Sequence, residues 1–220
     1  MFAGHIGAGM LIARAEPRMN VGGFIFAALL LDVVLWLLVL LGVESVSIPA
    51  DFGQTHQPLF IFPYSHGLLA SLAWSGLAGC AACLAGSRLG SARWRAAALL
   101  AAAVLSHWLL DALVHIPELP LVGSHSAKLG LGLWQNMPLA LAVEASLVLA
   151  GLCTFLPGSA LSRGRKLWLA SLVLLLLAFT LGGMTLAPAP PSGAAMAASS
   201  LLAIVIACGL FGWLGRAPRR

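Results

Sequence analysis

Ser106-His107-Trp108-Leu109-Leu110-Asp111 sets an imidazole and a carboxylate four residues apart in an apolar run, and His115 follows four residues later. Residues at i and i+4 share one face of a helix, the spacing by which two histidines of an HExxH helix reach one zinc ion. Neutral imidazole and carboxylate together suit Zn²⁺, or Mn²⁺ and Fe²⁺, better than the metals that favour thiolate. Further ionisable residues stand in other apolar runs: His5, Asp32, His66 and Glu144. A charge at mid-bilayer costs about 2.5–3.5 kcal/mol on insertion scales, so such residues face a bundle interior or a wet cavity and usually carry function.

His5, Asp32, His66, His107 and Asp111 are therefore candidate ligands of one or two divalent ions. An ion so held lowers the pKa of bound water and makes a nucleophile near neutral pH. Glu144 or His115 would take the proton, given hydrogen-bond reach. An ester or phosphoester near the lipid headgroup would suit such a site. The same residues also fit a proton or divalent-metal transporter with an intramembrane His/Asp/Glu relay, although no inverted repeat is visible. They fit, thirdly, a non-catalytic module whose polar cluster fixes helix packing. Singly, His5 could be a hydrogen-bonded packing residue, Asp32 a structural acid, and Glu144 a base, a partner of a ligand or a structural acid. His56 and His125 lie in loops and read as solvated.

Membrane helices must position these groups. Hydrophobic residues make up 60% of the 220 and charged residues 9%, against roughly 45–50% and 25% in a soluble domain. Twelve Lys and Arg with seven Asp and Glu cannot cover a water-soluble globule of this size. Crossing a bilayer takes about 20 mostly apolar residues, and such segments fall at 21–43, 60–86, 94–115, 131–156, 167–186 and 195–215. The expected fold is all-α, a polytopic bundle of six transmembrane helices plus a short N-terminal helix. That helix, in residues 1–13, is too short to cross and lacks the basic n-region of a signal peptide. It reads as half-inserted or re-entrant, which requires protein or a cavity around it. Spans five and six hold no ionisable residue. Residues 1–156 thus form the part that carries the candidate site, and 157–220 a two-helix scaffold hairpin of the same bundle.

The loops give an orientation. Arg14 and Arg18, then Arg88, Arg93 and Arg95, then Arg163, Arg165 and Lys166, then Arg216, Arg219 and Arg220 occupy every second loop and the C-terminal tail. The other loops hold Glu44, Asp51, Glu118 and Lys128, or no charge at all. By the positive-inside rule the basic side is cytoplasmic, and the candidate residues converge between mid-membrane and the outer leaflet. The net charge of +5 is thus a topology signal, and no aromatic-interleaved basic patch points to nucleic acid. Cys80-Ala-Ala-Cys83 has redox spacing but lies in a Gly/Ala-rich span without a βαβ context, so its cysteines read as small packing residues.

Gly4-His5, Asp32, Tyr64-Ser65-His66-Gly67 and Leu105-Ser106-His107 with Asp111 follow one another in an order that resembles the YdjM-like family of bacterial inner-membrane proteins, described as membrane-bound metal-dependent hydrolases. The resemblance covers about residues 1–120 and is one of motif pattern. It implies a bacterial inner-membrane location and His5, Asp32, His66, His107 and Asp111 as metal ligands. The chain has one acid at Leu31-Asp32-Val33-Val34 where the family often has two, and it lacks a His-Arg pair ahead of Tyr64.

Overall fold

Helix α1 (Phe2–Ala13) is 12 residues long, about 18 Å at 1.5 Å per residue, and too short to cross roughly 30 Å of hydrocarbon. In the computed structural model, which describes residues 1–86 and 90–216, it is buried on nearly every face. Arg88, Arg219 and Arg220 of the basic segments lie outside the described residues. Glycine makes the burial possible. Gly7 lies against the backbone of Leu147 and Val148, and Gly151 lies against that of Gly7, so a Cβ at either position would run into main chain. The backbones of α1 and α7 (Met137–Gly158) therefore touch at this crossing, as small residues allow in membrane bundles.

The expected first span, 21–43, is not one straight helix. It consists of α2 (Val21–Ala28) and α3 (Leu30–Leu40), bent by 50° at Leu29. No Pro or Gly marks the break. Backbone groups interrupted at membrane depth need partners from the rest of the bundle, and the Ala28 carbonyl accepts a 2.7 Å hydrogen bond from His107 Nδ1.

Five helices among the described residues are long and apolar enough to cross a bilayer: α5 (Leu68–Ala85), α6 (Ala92–Val114), α7, α8 (Arg163–Thr185) and α9 (Gly193–Leu214). The bent pair makes a sixth only if counted as one broken span. The class is all-α apart from two small hairpins. β1 (Ser45–Ser47) pairs antiparallel with β2 (Leu59–Ile61) around the short α4 (Phe52–Thr55), and β3 (Leu119–Pro120) pairs with β4 (Lys128–Leu129). Two expected spans start later than their apolar runs: 60–67 is strand and turn before α5, and Leu133–Gln135 is a 3₁₀ turn before α7.

The described residues of the basic segments, Lys128 of β4 standing apart, lie at the end of the bundle opposite the hairpins. Arg95 Nη2 donates to the Ala15 carbonyl at 2.7 Å, and Arg165 donates to the Arg216 carbonyl. Arg18 donates to both carboxylate oxygens of Glu16, and these hydrogen bonds hold the Glu16 carboxyl below its ordinary range. Trp94, Trp168 and Trp213 are exposed at the same end, where amphipathic aromatics anchor a membrane interface. Helix α9 packs on α2 and α3 and meets α8 at few points. Leu174, Leu175, Leu202, Val205 and Ile206 point outward from α8 and α9, an apolar face suited to lipid.

Gly151→Leu is expected to push α1 off α7 and cost about 1–3 kcal/mol of stability by overpacking. It should read as a lowered melting temperature in detergent, whereas Gly209→Leu, where an added Cβ meets nothing within 4 Å, should melt like the wild type.

Candidate metal centre

The ends of several elements meet below the two hairpins. The first turns of α1 bring His5, the first turn of α3 brings Asp32, and the turn before α5 brings His66. The last two turns of α6 bring His107 and Asp111, and His115 follows its end. All are buried except Asp32, whose side chain is 20% exposed. The group thus lies near the ends of these helices.

Asp111 is the common partner. Its Oδ2 lies 3.2 Å from His107 Nε2, 3.3 Å from His66 Nε2 and 3.7 Å from His115 Nε2. Its Oδ1 lies 3.1 Å from His5 Nε2. Asp32 Oδ1 is 3.6 Å from His107 Nε2 and 3.7 Å from His66 Nε2. The His5 and His107 rings stack with centroids 3.7 Å apart and planes within 9°.

The outer nitrogens settle the tautomers. His107 Nδ1 must donate to the Ala28 carbonyl, because a carbonyl only accepts. Ser65 Oγ gives its single proton to Glu44 Oε2 at 2.6 Å, so His66 Nδ1 donates to Ser65 Oγ at 2.8 Å. His115 Nδ1 donates to Glu118 Oε1 at 2.6 Å. In the neutral imidazoles all three Nε2 atoms then carry lone pairs, and all three face Asp111. His66 Nε2 and His107 Nε2 lie 3.1 Å apart. Two lone pairs facing at that distance repel unless a cation, a proton or a metal ion, sits with them.

The donors fit a metal ion. Donor atoms at about 2.0–2.2 Å from one zinc ion in a tetrahedron lie roughly 3.3–3.6 Å apart, and the His66, His107 and Asp111 atoms here are 3.1–3.3 Å apart. Two overlapping sets, His66/His107/Asp111 and His5/Asp32/His107, each keep their donor atoms within 4.8 Å of one another. His5 Nδ1 is buried with no hydrogen-bond partner among the described residues. An oxygen and nitrogen set with outer nitrogens tied to carboxylate, hydroxyl and carbonyl is the arrangement by which metal-binding histidines are oriented.

All five expected ligands are brought together, and His115 joins them. Glu144 is placed differently. Its Oε1 accepts a 3.2 Å hydrogen bond from the Gly4 amide, one of the unpaired N–H groups at the start of α1, and among the described residues it bonds none of the histidines. His125 is exposed, while His56 lines the cavity above the site.

Glu44 and Glu118, read from sequence as loop acids, belong to the site's support. Glu44 Oε1 accepts from the amides of Tyr64 and Ser65 at 2.7 and 2.9 Å, and Glu118 Oε2 accepts from the Phe60 amide at 3.1 Å. Trp108 Nε1 donates to the His66 carbonyl at 2.9 Å, pinning that turn to α6. Gly67 is required there, since a Cβ would strike the Pro63 carbonyl oxygen. The spacing His115-x-x-Glu118 was the available clue to one of these acids. The other had none. A cavity of about 420 Å³ opens onto Asp32, His66, Asp111 and His115. The chain matches no family model, no curated protein and no solved structure.

Glu44→Ala should leave two amides and the Ser65 hydroxyl short of an acceptor, at about 1–3 kcal/mol for each buried group left unsatisfied. Its melting temperature should fall, and divalent-metal titration should show binding about 10–100-fold weaker, as when an orienting partner is lost.

Proposed function

We propose that this chain is an integral-membrane, metal-dependent hydrolase and a divergent member of the YdjM-like family. It would lie in a bacterial inner membrane with its basic loops on the cytoplasmic side. The observation that carries the metal is the pair of imidazole lone pairs facing each other 3.1 Å apart beside two carboxylates. His66, His107 and Asp111 would hold the ion, with Asp32 and His5 at its edge. The donors are nitrogen and oxygen with no thiolate, which favours zinc, with manganese or iron as substitutes. Such an ion supplies Lewis acidity, polarising a substrate oxygen or making water acidic enough to attack near neutral pH.

The chain's own groups supply the proton transfer. With Nδ1 fixed on Glu118, His115 offers Nε2 towards Asp111 and the cavity. A proton arriving at Nε2 makes an imidazolium that Glu118 stabilises, the role of the carboxylate in a Ser-His-Asp triad. The hairpins and the aromatic rings of Phe60, Phe62 and Trp134 around His115 limit water at this position. An ester or phosphoester is the substrate class that such a pairing of Lewis acid and base serves. Against transport, no Asp, Glu, His, Lys or Arg lies between His107 and Arg95 on α6, or beyond His5 on α1, or beyond Glu144 on α7, so no carboxylate or imidazole relay reaches the basic end along these helices.

Protein purified in detergent is expected to hold a stoichiometric divalent ion by elemental analysis, with His107→Ala and Asp111→Ala losing it. A wild type without metal would sink the reading. Hydrolysis of bis(p-nitrophenyl) phosphate or p-nitrophenyl esters should stop on chelation and return with Zn²⁺ or Mn²⁺. Glu118→Gln should keep the ion while kcat falls by up to about 10⁴, the scale of turning a triad carboxylate into an amide.

A further inference from the structure

The cavity above the site is two-faced. Its floor is Asp32, His66, Asp111 and His115, whereas its walls on the α8 and α9 side are Phe179, Met184, Met196, Ala203 and Ile204. Among the described residues no Lys or Arg lines it, so an anionic head would find no side-chain cation there. The helices expected to be a passive scaffold therefore build half of the chamber.

That chamber also reaches the lipid face. Phe179 and Gly183 of α8 and Ser199 of α9 line the cavity and are exposed, and on their helices Phe179 stands one turn from the exposed Leu175 and Ser199 about one turn from the exposed Leu202. A Cβ at Gly183 would meet nothing within 4 Å, and α8 and α9 touch at few points. On either side of this slot the exposed residues are Leu174, Leu175, Leu202, Val205 and Ile206, the face that a membrane chain presents to hydrocarbon. A volume of about 420 Å³ falls at the small end of the usual 300–1,000 Å³ for ligand sites. It takes a headgroup and the start of one chain, and leaves the rest of a lipid outside.

We propose that α8 and α9 form a lateral portal through which one acyl chain of a bilayer lipid enters, laying its ester or phosphoester head on the His/Asp cluster. The head's fate rests on the hydrolase reading; the seating of the chain does not. The flexible thioethers of Met184 and Met196 suit a chain of variable shape. The ring of Phe179 stands where chamber and bilayer meet. The occupant is a lipid because the residues exposed beside the slot on both helices are apolar, a lining that an acyl chain matches and a water-soluble substrate does not.

The test uses full-length protein in phosphatidylcholine nanodiscs doped with a phosphatidylcholine that carries a diazirine in one acyl chain. After irradiation, peptide mass spectrometry should find adducts on Phe179, Met184, Met196 or Ile204. Adducts confined to the outward-facing Leu175, Leu202 and Val205 would overturn the portal. Gly183→Trp and Ala203→Phe fill the slot and chamber from two sides. In each, the inner adducts should fall about tenfold or more, the scale of a misfit of one or two methylenes in an apolar pocket, while outer adducts and bound metal stay as in wild type. Inner adducts that persist in both variants would also overturn it. Metal content is read on the same samples. Inner adducts in a metal-free protein would keep the portal and remove the hydrolase; bound metal with outer adducts alone would do the reverse.

Discussion

Asp111 carries a carboxylate into an apolar bundle and holds it within 3.1–3.7 Å of four imidazole nitrogens. A buried carboxylate without compensation costs several kcal/mol even after the protein relaxes, so each element bearing a partner must come to it. Much of the architecture follows from that requirement. Helix α1 is glycine-rich where it crosses α7 and is thereby seated deep enough for His5. The chain bends at Leu29, putting Asp32 in the first turn of a new helix, where the dipole favours a negative charge, and leaving the Ala28 carbonyl for His107. The turn holding His66 is tied to α6 through Trp108 and to the β1 side of the bundle through Glu44.

Three of the four histidines around Asp111 differ in what holds their other nitrogen. His107 leans on an amide carbonyl, His66 on a hydroxyl backed by a carboxylate, and His115 directly on a carboxylate. Those outer partners separate roles which the sequence presents as three similar histidines. His66 and His107 face each other across the space a cation would take, and His115 is turned by Glu118 towards the cavity.

The histidines and acids on helices could be read from sequence because an ionisable residue in an apolar run is expensive, and His107 and Asp111 add helical spacing to that signal. The bend could not. Ala27-Ala28-Leu29-Leu30-Leu31 holds no Pro or Gly, and only packing against α6 and α9 distinguishes it from a continuous span. Glu44 and Glu118 were hidden for the opposite reason: an acid in a polar loop is ordinarily solvated. These are buried because two short hairpins fold over the helix ends, and strands of two or three residues leave no periodicity to recognise. Glu144 stood out as an intramembrane acid, yet its hydrogen bond goes to the start of α1. Spans five and six, lacking any Asp, Glu, His, Lys or Arg, read as scaffold, although an apolar wall is what a chamber for a chain needs.

The exposed tryptophans at the basic end mark a waterline. From Trp94 to Asp111 the same helix climbs about 25 Å at 1.5 Å per residue, through a hydrocarbon layer of roughly 30 Å. With Trp94 moored at one surface, the carboxylate comes to rest just beneath the other, at the depth where acyl chains join their headgroups. Membrane thickness then becomes a property of the site. A thinner bilayer lifts the cluster into the hydrated headgroup layer, and a thicker one submerges it, so that the lipid around this protein helps to decide how wet its chemistry is.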